Sequence, residues 1–255
     1  MDFQQQARPE EGIYMEGILY GVGVGAGDPE MLSLKAARIL RQADIVCIPR
    51  AHKASCRAYQ IAVQAVPEIA GKEALCFDFA MTEDNRLLQE THGRFYQTLR
   101  PVLAAGKSAA FLTIGDPAIY STFSCIAALA QADGHSVRTV SGITSFCAAA
   151  AACGIDLCSG HEELHIIPGR RKSIQESLRY PGTKVIMKSG RNISTIKEAL
   201  LQLEQAGSVS VYAVQDCGLP EEKILSGAQA IPDDGYMTTI IVKAAEQVSP
   251  PATRP

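Results

Sequence analysis

The sequence predicts an α/β protein made of two consecutive α/β domains, 17–158 and 162–246. Three observations predict it. Short apolar runs alternate with helical patterns through the first half, which indicates parallel strands joined by crossover helices. Near Cys158 to Glu162 this rhythm changes and a second set of strand and helix patterns begins. The 255 residues, 47% hydrophobic and 20% charged, have globular composition and suffice for two domains of ordinary size.

Taken in order, "GILYGVGVG" reads as a buried strand. "LSLKAARILRQ" then places Leu34, Arg38 and Arg41 on one helical face and Leu32, Ala36, Ile39 and Leu40 on the other. "DIVCIP" is a strand ended by Pro49, and a further strand lies near "ALCFDF", before a helix start in "AMTEDNRLLQE". "SAAFLTIGDP" and "SVRTVSG" contain strands. The helices "FYQTLRPVLAAG" and "STFSCIAALAQADG" are each stopped by glycine. Beyond "FCAAAAACGIDLCSG", whose alanine run is a helix former, come the strand "ELHIIPG", the helix "SIQESLRY" and the strand "TKVIMKSG". Asn192 stands where it can cap "ISTIKEALLQLEQAG", in which Ile193, Ile196, Leu200 and Leu203 share a face. "SVSVYAVQDCG" and "GYMTTIIVKA" close the series as strands.

Charge and cysteine usage narrow the function classes. A net charge of −3 provides no global basic field for nucleic acid or an anionic membrane. The longest apolar run, Phe146 to Cys153, is too short to span a bilayer. "MDFQQQARPEEG" is polar and acidic, unlike a signal peptide, and is expected to be a frayed tail, as is "SPPATRP". None of the eight cysteines falls in a C-x-x-C, so zinc-ribbon and thioredoxin-type chemistry find no support. Several sit in apolar runs, which fits buried reduced thiols in a cytoplasmic protein.

The stretch "LYGVGVGAGDPEMLSLKAARIL" admits several readings. A Walker A loop needs a lysine directly after its last glycine, but Gly27 is followed by Asp28, an acid that repels phosphate. Gly21, Gly23 and Ala26 match the dinucleotide pattern G-x-G-x-x-A, with Arg50 placed to meet an NADP 2′-phosphate. A tight strand-to-helix turn without any ligand is a third reading. In each case glycine lets the chain turn at positive φ and removes the Cβ that would fend off a neighbour. A second loop, "FLTIGDPAIYSTF", repeats the order of strand, Gly-Asp-Pro and helix. Both turns are expected at the C-terminal edge of one parallel sheet, where open α/β sheets bind ligands. Asp116 suits a ribose hydroxyl or a positive ligand group, and equally the cap of the following helix.

These segments resemble the tetrapyrrole methylases of cobalamin and sirohaem biosynthesis. "VGVGAGDPEMLSLKAARIL", "FLTIGDPAIYSTF" and "VSGITSFCAAAAACGIDL" resemble the family's first three loop signatures. "VIMKSG", "VYAVQDCG" and "MTTIIVK" resemble its later strands in order, so the likeness runs from Leu19 to Lys243. "ADIVCIP", "FDFAMTEDNRLL", "GDPAIYSTF", "GITSFCAAAA" and the long segment from Lys53 to Phe79 look most like the branch that methylates C-20 of precorrin-2 or its cobalt form. The uroporphyrinogen branch usually has Asp where this chain has Pro49.

The resemblance implies a class III methyltransferase, usually a homodimer, with a parallel-sheet N-terminal domain and a mixed-sheet C-terminal domain. S-adenosyl-L-methionine is held folded in the cleft between them. It implies donor contacts from Gly25 and Ala26 in the first loop, from Ile114, Gly115, Asp116 and Ile119 in the second, and from Thr144 and Ser145 in the third. Met187, the turn around Cys217 and Thr239 would close the site from the second domain. Ala26 and Ser141 stand where many relatives have proline.

Methyl transfer from a sulfonium to an electron-rich ring carbon needs positioning and exclusion of water rather than a strong base. Tyr120, just after the Gly-Asp-Pro turn, is placed to orient substrate or donor, or to be an ordinary helix-start aromatic of the core. A tetrapyrrole carries carboxylates and calls for cations. Arg50, His52 and Lys53 cluster after the second strand, and Arg170, Arg171 and Lys172 after "HIIPG". His161 and His165 are a poor metal pair, because strand rise sets them about 13 Å apart. No resident metal is expected, and any cobalt would arrive inside the substrate.

Overall fold

The computed structural model describes residues 17–79, 82, 84–170, 173–234 and 237–245. Five strands, β1 (Ile18–Gly23), β2 (Ile45–Ile48), β3 (Glu73–Cys76), β4 (Ala109–Thr113) and β5 (Ser136–Val140), form one sheet in the order β3-β2-β4-β1-β5. Every pairing in it is parallel. Its inner strands β2 and β4 are buried almost throughout, as a sheet covered on both faces requires, with successive side chains going to opposite faces. Val46, Ile48, Ala110 and Leu112 face helices α1 (Leu34–Gln42) and α2 (Arg57–Ala65). The alternate residues Ile45, Cys47, Ala109 and Phe111 face α3 (Asn85–Ala104) and α4 (Phe123–Ala132). Ser33 caps α1 by accepting a hydrogen bond from the Ala36 N–H, and Asp84 caps α3 at Arg86 and Leu87. As the spacing predicts, Ala36, Ile39 and Leu40 are buried while Leu34 faces solvent.

The strand order places β1 beside β4, and the chain leaves these two strands in opposite directions, toward β2 and toward β5. Such a reversal opens a crevice at the carboxyl ends of the strands. Gly23 ends β1 level with Thr113 at the end of β4.

The second sheet has the order β6-β7-β10-β8-β9, from β6 (Leu164–Pro168), β7 (Thr183–Met187), β8 (Val209–Gln215), β9 (Lys223–Ser226) and β10 (Thr238–Ala244). Only β6 and β7 pair in parallel, so the sheet is mixed. One face packs on α6 (Ile174–Leu178) and α7 (Ile193–Gln205), through Ile174, Ile193, Ile196 and Leu200. The other face receives α5 (Ser145–Cys153), whose Phe146, Ala148 and Ala149 lie on Val185, Val214 and Ile241. An alanine-rich helix that begins in the N-terminal half thus closes the core of the C-terminal sheet.

Three details depart from the sequence reading. Helix α2 lies inside the segment 53–79, for which no helix is predicted; its Cys56 N-cap makes no side-chain cap bond, so the usual start signal is missing. Strand β9 is a short edge strand paired to β8 alone, and its "KILS" carries no clear alternation. Asn192 occupies the N-cap position of α7 without capping it. Its side-chain amide donates instead to the Gly169 carbonyl at 3.1 Å, tying the ends of β6 and β7 to the helix start.

Candidate active site

The loops that leave β1, β4 and β5 interlock before they reach any ligand. The Gly115 N–H donates to the Gly25 carbonyl at 2.7 Å, with Gly25 at φ +82° and Gly115 at φ +72°. A Cβ on Gly23 would stand 2.5 Å from the Gly115 oxygen and 2.6 Å from the Gly142 nitrogen, so three loops meet where only glycine fits. Likewise a Cβ on Gly27 would lie 2.1 Å from the Cys217 carbonyl oxygen, where the first loop touches the turn after β8. What the glycine backbone approaches so closely here is other backbone of the same chain.

Asp116 stitches this arrangement. Its Oδ1 accepts from the Ala118 N–H at 2.7 Å and its Oδ2 from the Gly142 N–H at 3.1 Å. Helix α4 starts only at Phe123, so Asp116 closes a turn and bridges two loops rather than capping that helix. Each of its oxygens keeps a lone pair for a further donor.

Between the two sheets lies a cavity of about 580 Å³. Ala26, Ile114, Gly115, Asp116, Ile119 and Tyr120 line it from the first half, with Thr144 and Ser145 at the start of α5. Met187, Cys217 and Thr239 line it from the second sheet. Gly25 is absent from the wall and acts behind it, through its bond to Gly115. The Ser145 and Thr239 hydroxyls share a hydrogen bond of 3.3 Å across the two halves. By contrast, the Thr144 and Thr238 hydroxyls are buried without a protein partner, and Thr238, alternating with Thr239 along β10, shares the face of Ile240 and Val242 that packs on α6 and α7. The Cys217 thiol is pushed up to about 12 by burial, with Glu222 beside it adding to the effect, and remains protonated.

The other end of the cavity is cationic. Arg50, 3.8 Å from Asp78, and Arg170 both line it. Lys53 does not: its ammonium lies 3.4 Å from the Ala70 carbonyl and over the Tyr59 ring. Arg171 falls outside the described residues. Two lining cations were not singled out in the sequence. Arg57, on the unpredicted α2, pairs with Asp216 after β8 and so crosses between the halves. Lys188 donates to the Tyr120 carbonyl at 2.6 Å, a second crossing, and the Tyr120 hydroxyl donates to the Ile166 carbonyl at 3.3 Å. Burial, with Arg170 as a second cause, lowers the pKa of Lys188, and burial raises that of Tyr120. Lys188 lies within the quoted "VIMKSG", so its position was visible while its role was not. Nothing local marks Arg57, because its partner is 159 residues away.

All four non-glycine residues with positive φ among those described, Tyr120, Lys188, Asp216 and Met237, stand at this cleft or in its crossings. Such backbone costs energy and persists only where its surroundings hold it, most often at functional sites.

Known proteins match this chain in sequence and in fold. The family described as Tetrapyrrole (Corrin/Porphyrin) Methylases matches residues 18–230. A probable cobalt-precorrin-2 C(20)-methyltransferase of Methanocaldococcus jannaschii is 33% identical over 210 residues, which cover 82% of this chain and 86% of that protein. A cobalt-precorrin-2 C(20)-methyltransferase of Salmonella typhimurium is 29% identical over 238 residues, 89% of this chain and 97% of the relative. Among solved structures, a cobalt precorrin-4 methyltransferase shares the fold with a TM-score of 0.69 at 21% identity, covering 96% of this chain and 100% of the other. A uroporphyrin-III C-methyltransferase from Thermus thermophilus complexed with S-adenosyl homocysteine gives 0.64 at 21%, covering 91% and 94%.

Proposed function

This chain belongs to the tetrapyrrole (corrin/porphyrin) methylases, and on that premise we propose that it transfers a methyl group from S-adenosyl-L-methionine to C-20 of precorrin-2 or of its cobalt form in corrin biosynthesis. The observation that carries this reading is the 33% identity over 82% of the chain to a relative named for C-20 methylation. The cleft supports it, because the family's expected donor contacts, Gly25 excepted, line one cavity from both halves.

The donor, when bound, supplies an electrophilic methyl group on a sulfonium. The chain's own residues do the rest. Asp116 offers its spare lone pairs to polar atoms of the donor. Ala26, Ile114, Ile119 and Met187 form an apolar wall that keeps water from the reacting atoms. The methine carbon of a reduced tetrapyrrole is electron-rich, so orientation within the cleft supplies most of the rate. The cationic end, with Arg50 and Arg170 in its wall, suits carboxylates, and Arg50 there meets those of the substrate. A homodimer working in the cytoplasm completes the reading, by likeness to the family. No helix among the described residues is long and apolar enough to cross a membrane.

The test is methyl transfer from labelled donor to precorrin-2, with and without inserted cobalt, with the methylated carbon identified. A single methyl at C-20 is the expected product. Transfer to another carbon moves the protein to another branch. Tight binding of NADPH with none of S-adenosylhomocysteine would sink the donor assignment. Sedimentation equilibrium giving the mass of a single chain would remove the dimer.

A further inference from the structure

Strands β6 and β7 run in parallel and end level with each other, Pro168 opposite Met187, at the cavity. The residues just beyond these ends are cations: Arg170 after β6 and Lys188 after β7. Both line the cavity and both are accessible from it. They lie close enough that the Arg170 charge disfavours the charged form of Lys188. The Arg170 Nε stands beside Gly190, 3.8 Å from where a Cβ on that glycine would be.

The acids of the cleft are already engaged. Asp216 is paired with Arg57, Asp78 stands beside Arg50, and Asp116 is bound to two backbone N–H groups. Among the described residues no carboxylate pairs with Arg170 or Lys188, and Lys188 has a neutral carbonyl as its hydrogen-bond partner. Two neighbouring cations at a concave, partly desolvated wall repel each other unless an anion lies between them. The ammonium has two N–H donors left after its bond to Tyr120, and the guanidinium presents a planar fork that fits two oxygens. The backbone of Lys188 is held at φ 55°, an uncommon conformation for a residue with a Cβ.

We propose that Arg170 and Lys188 together form a dock for a carboxylate of the bound ligand. The dock extends the methyltransferase reading and rests on it. Two carboxylates are available in that reaction, the side-chain acids of the tetrapyrrole and the amino-acid carboxylate of the donor. The dock also touches the crossing between the halves, since Lys188 bonds Tyr120. An anion seated there is expected to firm the closed arrangement of the cleft.

The experiment compares wild-type protein with Arg170→Gln, Lys188→Met and Lys188→Arg. Titrations use uroporphyrin III, a stable tetrapyrrole with acetate and propionate arms, and separately S-adenosylhomocysteine. Charge-assisted hydrogen bonds are strong enough that each charge-removing variant is expected to weaken one of the two ligands by on the order of tenfold or more. Lys188→Arg is expected to recover most of that loss, a rescue that a purely structural role for the lysine would not show. Weaker porphyrin binding with unchanged S-adenosylhomocysteine affinity assigns the dock to the tetrapyrrole, and the reverse assigns it to the donor. Unchanged affinity for both ligands, in variants whose melting temperature matches wild type, overturns the dock and leaves the methyltransferase reading standing. Wild-type protein that binds neither ligand overturns that reading, and the dock with it.

Discussion

At Tyr96, a ring only 4% exposed donates its hydroxyl hydrogen to Asp133 Oδ2 at 2.9 Å, and Arg100 approaches the same oxygen at 2.8 Å. Burial first, and the bond to Asp133 second, push this phenol up to about 12. The ordinary phenol value is about 10, so above that pH the unfolded chain releases a proton that the folded chain keeps. The contribution is therefore full below about pH 10 and is lost as pH rises toward 12. Tyr96→Phe is expected to lower stability by about 1 kcal/mol near neutrality and to flatten the loss between pH 10 and 12. Urea denaturation across that range measures both. Residues of this kind differ in how far the sequence exposes them. Asp116 stood out through its Gly-Asp-Pro turn, although its bond to Gly142 did not, since that loop is 26 residues further on. Tyr120 stood out as well, and its positive φ and its bonds to Lys188 and Ile166 came only with the fold.

Helix α5 shows the same division one scale up. Its alanine run announces a helix but says nothing about a partner. Ala149 is wholly buried against the second sheet, in one cluster with Val185, Val214 and Ile241. Small residues let this helix lie flat on the sheet while its first residue, Ser145, remains at the cleft. Ala149→Leu is expected to cost about 1–3 kcal/mol by overpacking and, by pushing Ser145 away from Thr239, to weaken S-adenosylhomocysteine. Thermal unfolding and calorimetric titration measure the two effects. A variant as stable as wild type would show that the contact has slack. The elements the sequence reading missed, α2 and β9, lack the signals on which it relies. The one has no side-chain cap and the other sits at an edge without a regular pattern.

Across the whole molecule the halves are joined on either side of the cleft, by Arg57 with Asp216 and by Lys188 with Tyr120. Farther away, Lys243 on β10 holds the connecting segment through the Asp156 and Leu157 carbonyls and Glu162. Arg57 is partly exposed, so its ion pair contributes modestly to stability. A double-mutant cycle with Arg57→Met and Asp216→Asn is expected to give a coupling of up to about 1 kcal/mol in unfolding, reduced at high salt. The larger effect is expected in donor affinity, because Asp216 adjoins Cys217 in the wall. Additive single and double variants, in both stability and binding, would show that the contact does not hold the halves together.

The sequence by itself determined the α/β class, most strands and helices and the three loops of the cleft, because each is written in neighbouring residues through period, caps and glycine turns. The ordered motifs also pointed to the family. Only the tertiary structure decided the order β3-β2-β4-β1-β5, the seating of α5 on the far sheet and the pairing of Arg57 with Asp216. The seating of α5 and the ion pair join residues 94 and 159 positions apart, the strand order joins residues as distant as Ile18 and Ser136, and no local period carries such a pairing. The four glycines of the first loop, Gly21, Gly23, Gly25 and Gly27, show both sides of this division. Their freedom was legible in the chain, but what they make room for, the Phe123 ring at Gly21, Met31 at Gly25 and backbone of other loops at Gly23 and Gly27, could be identified only once the loops were folded together.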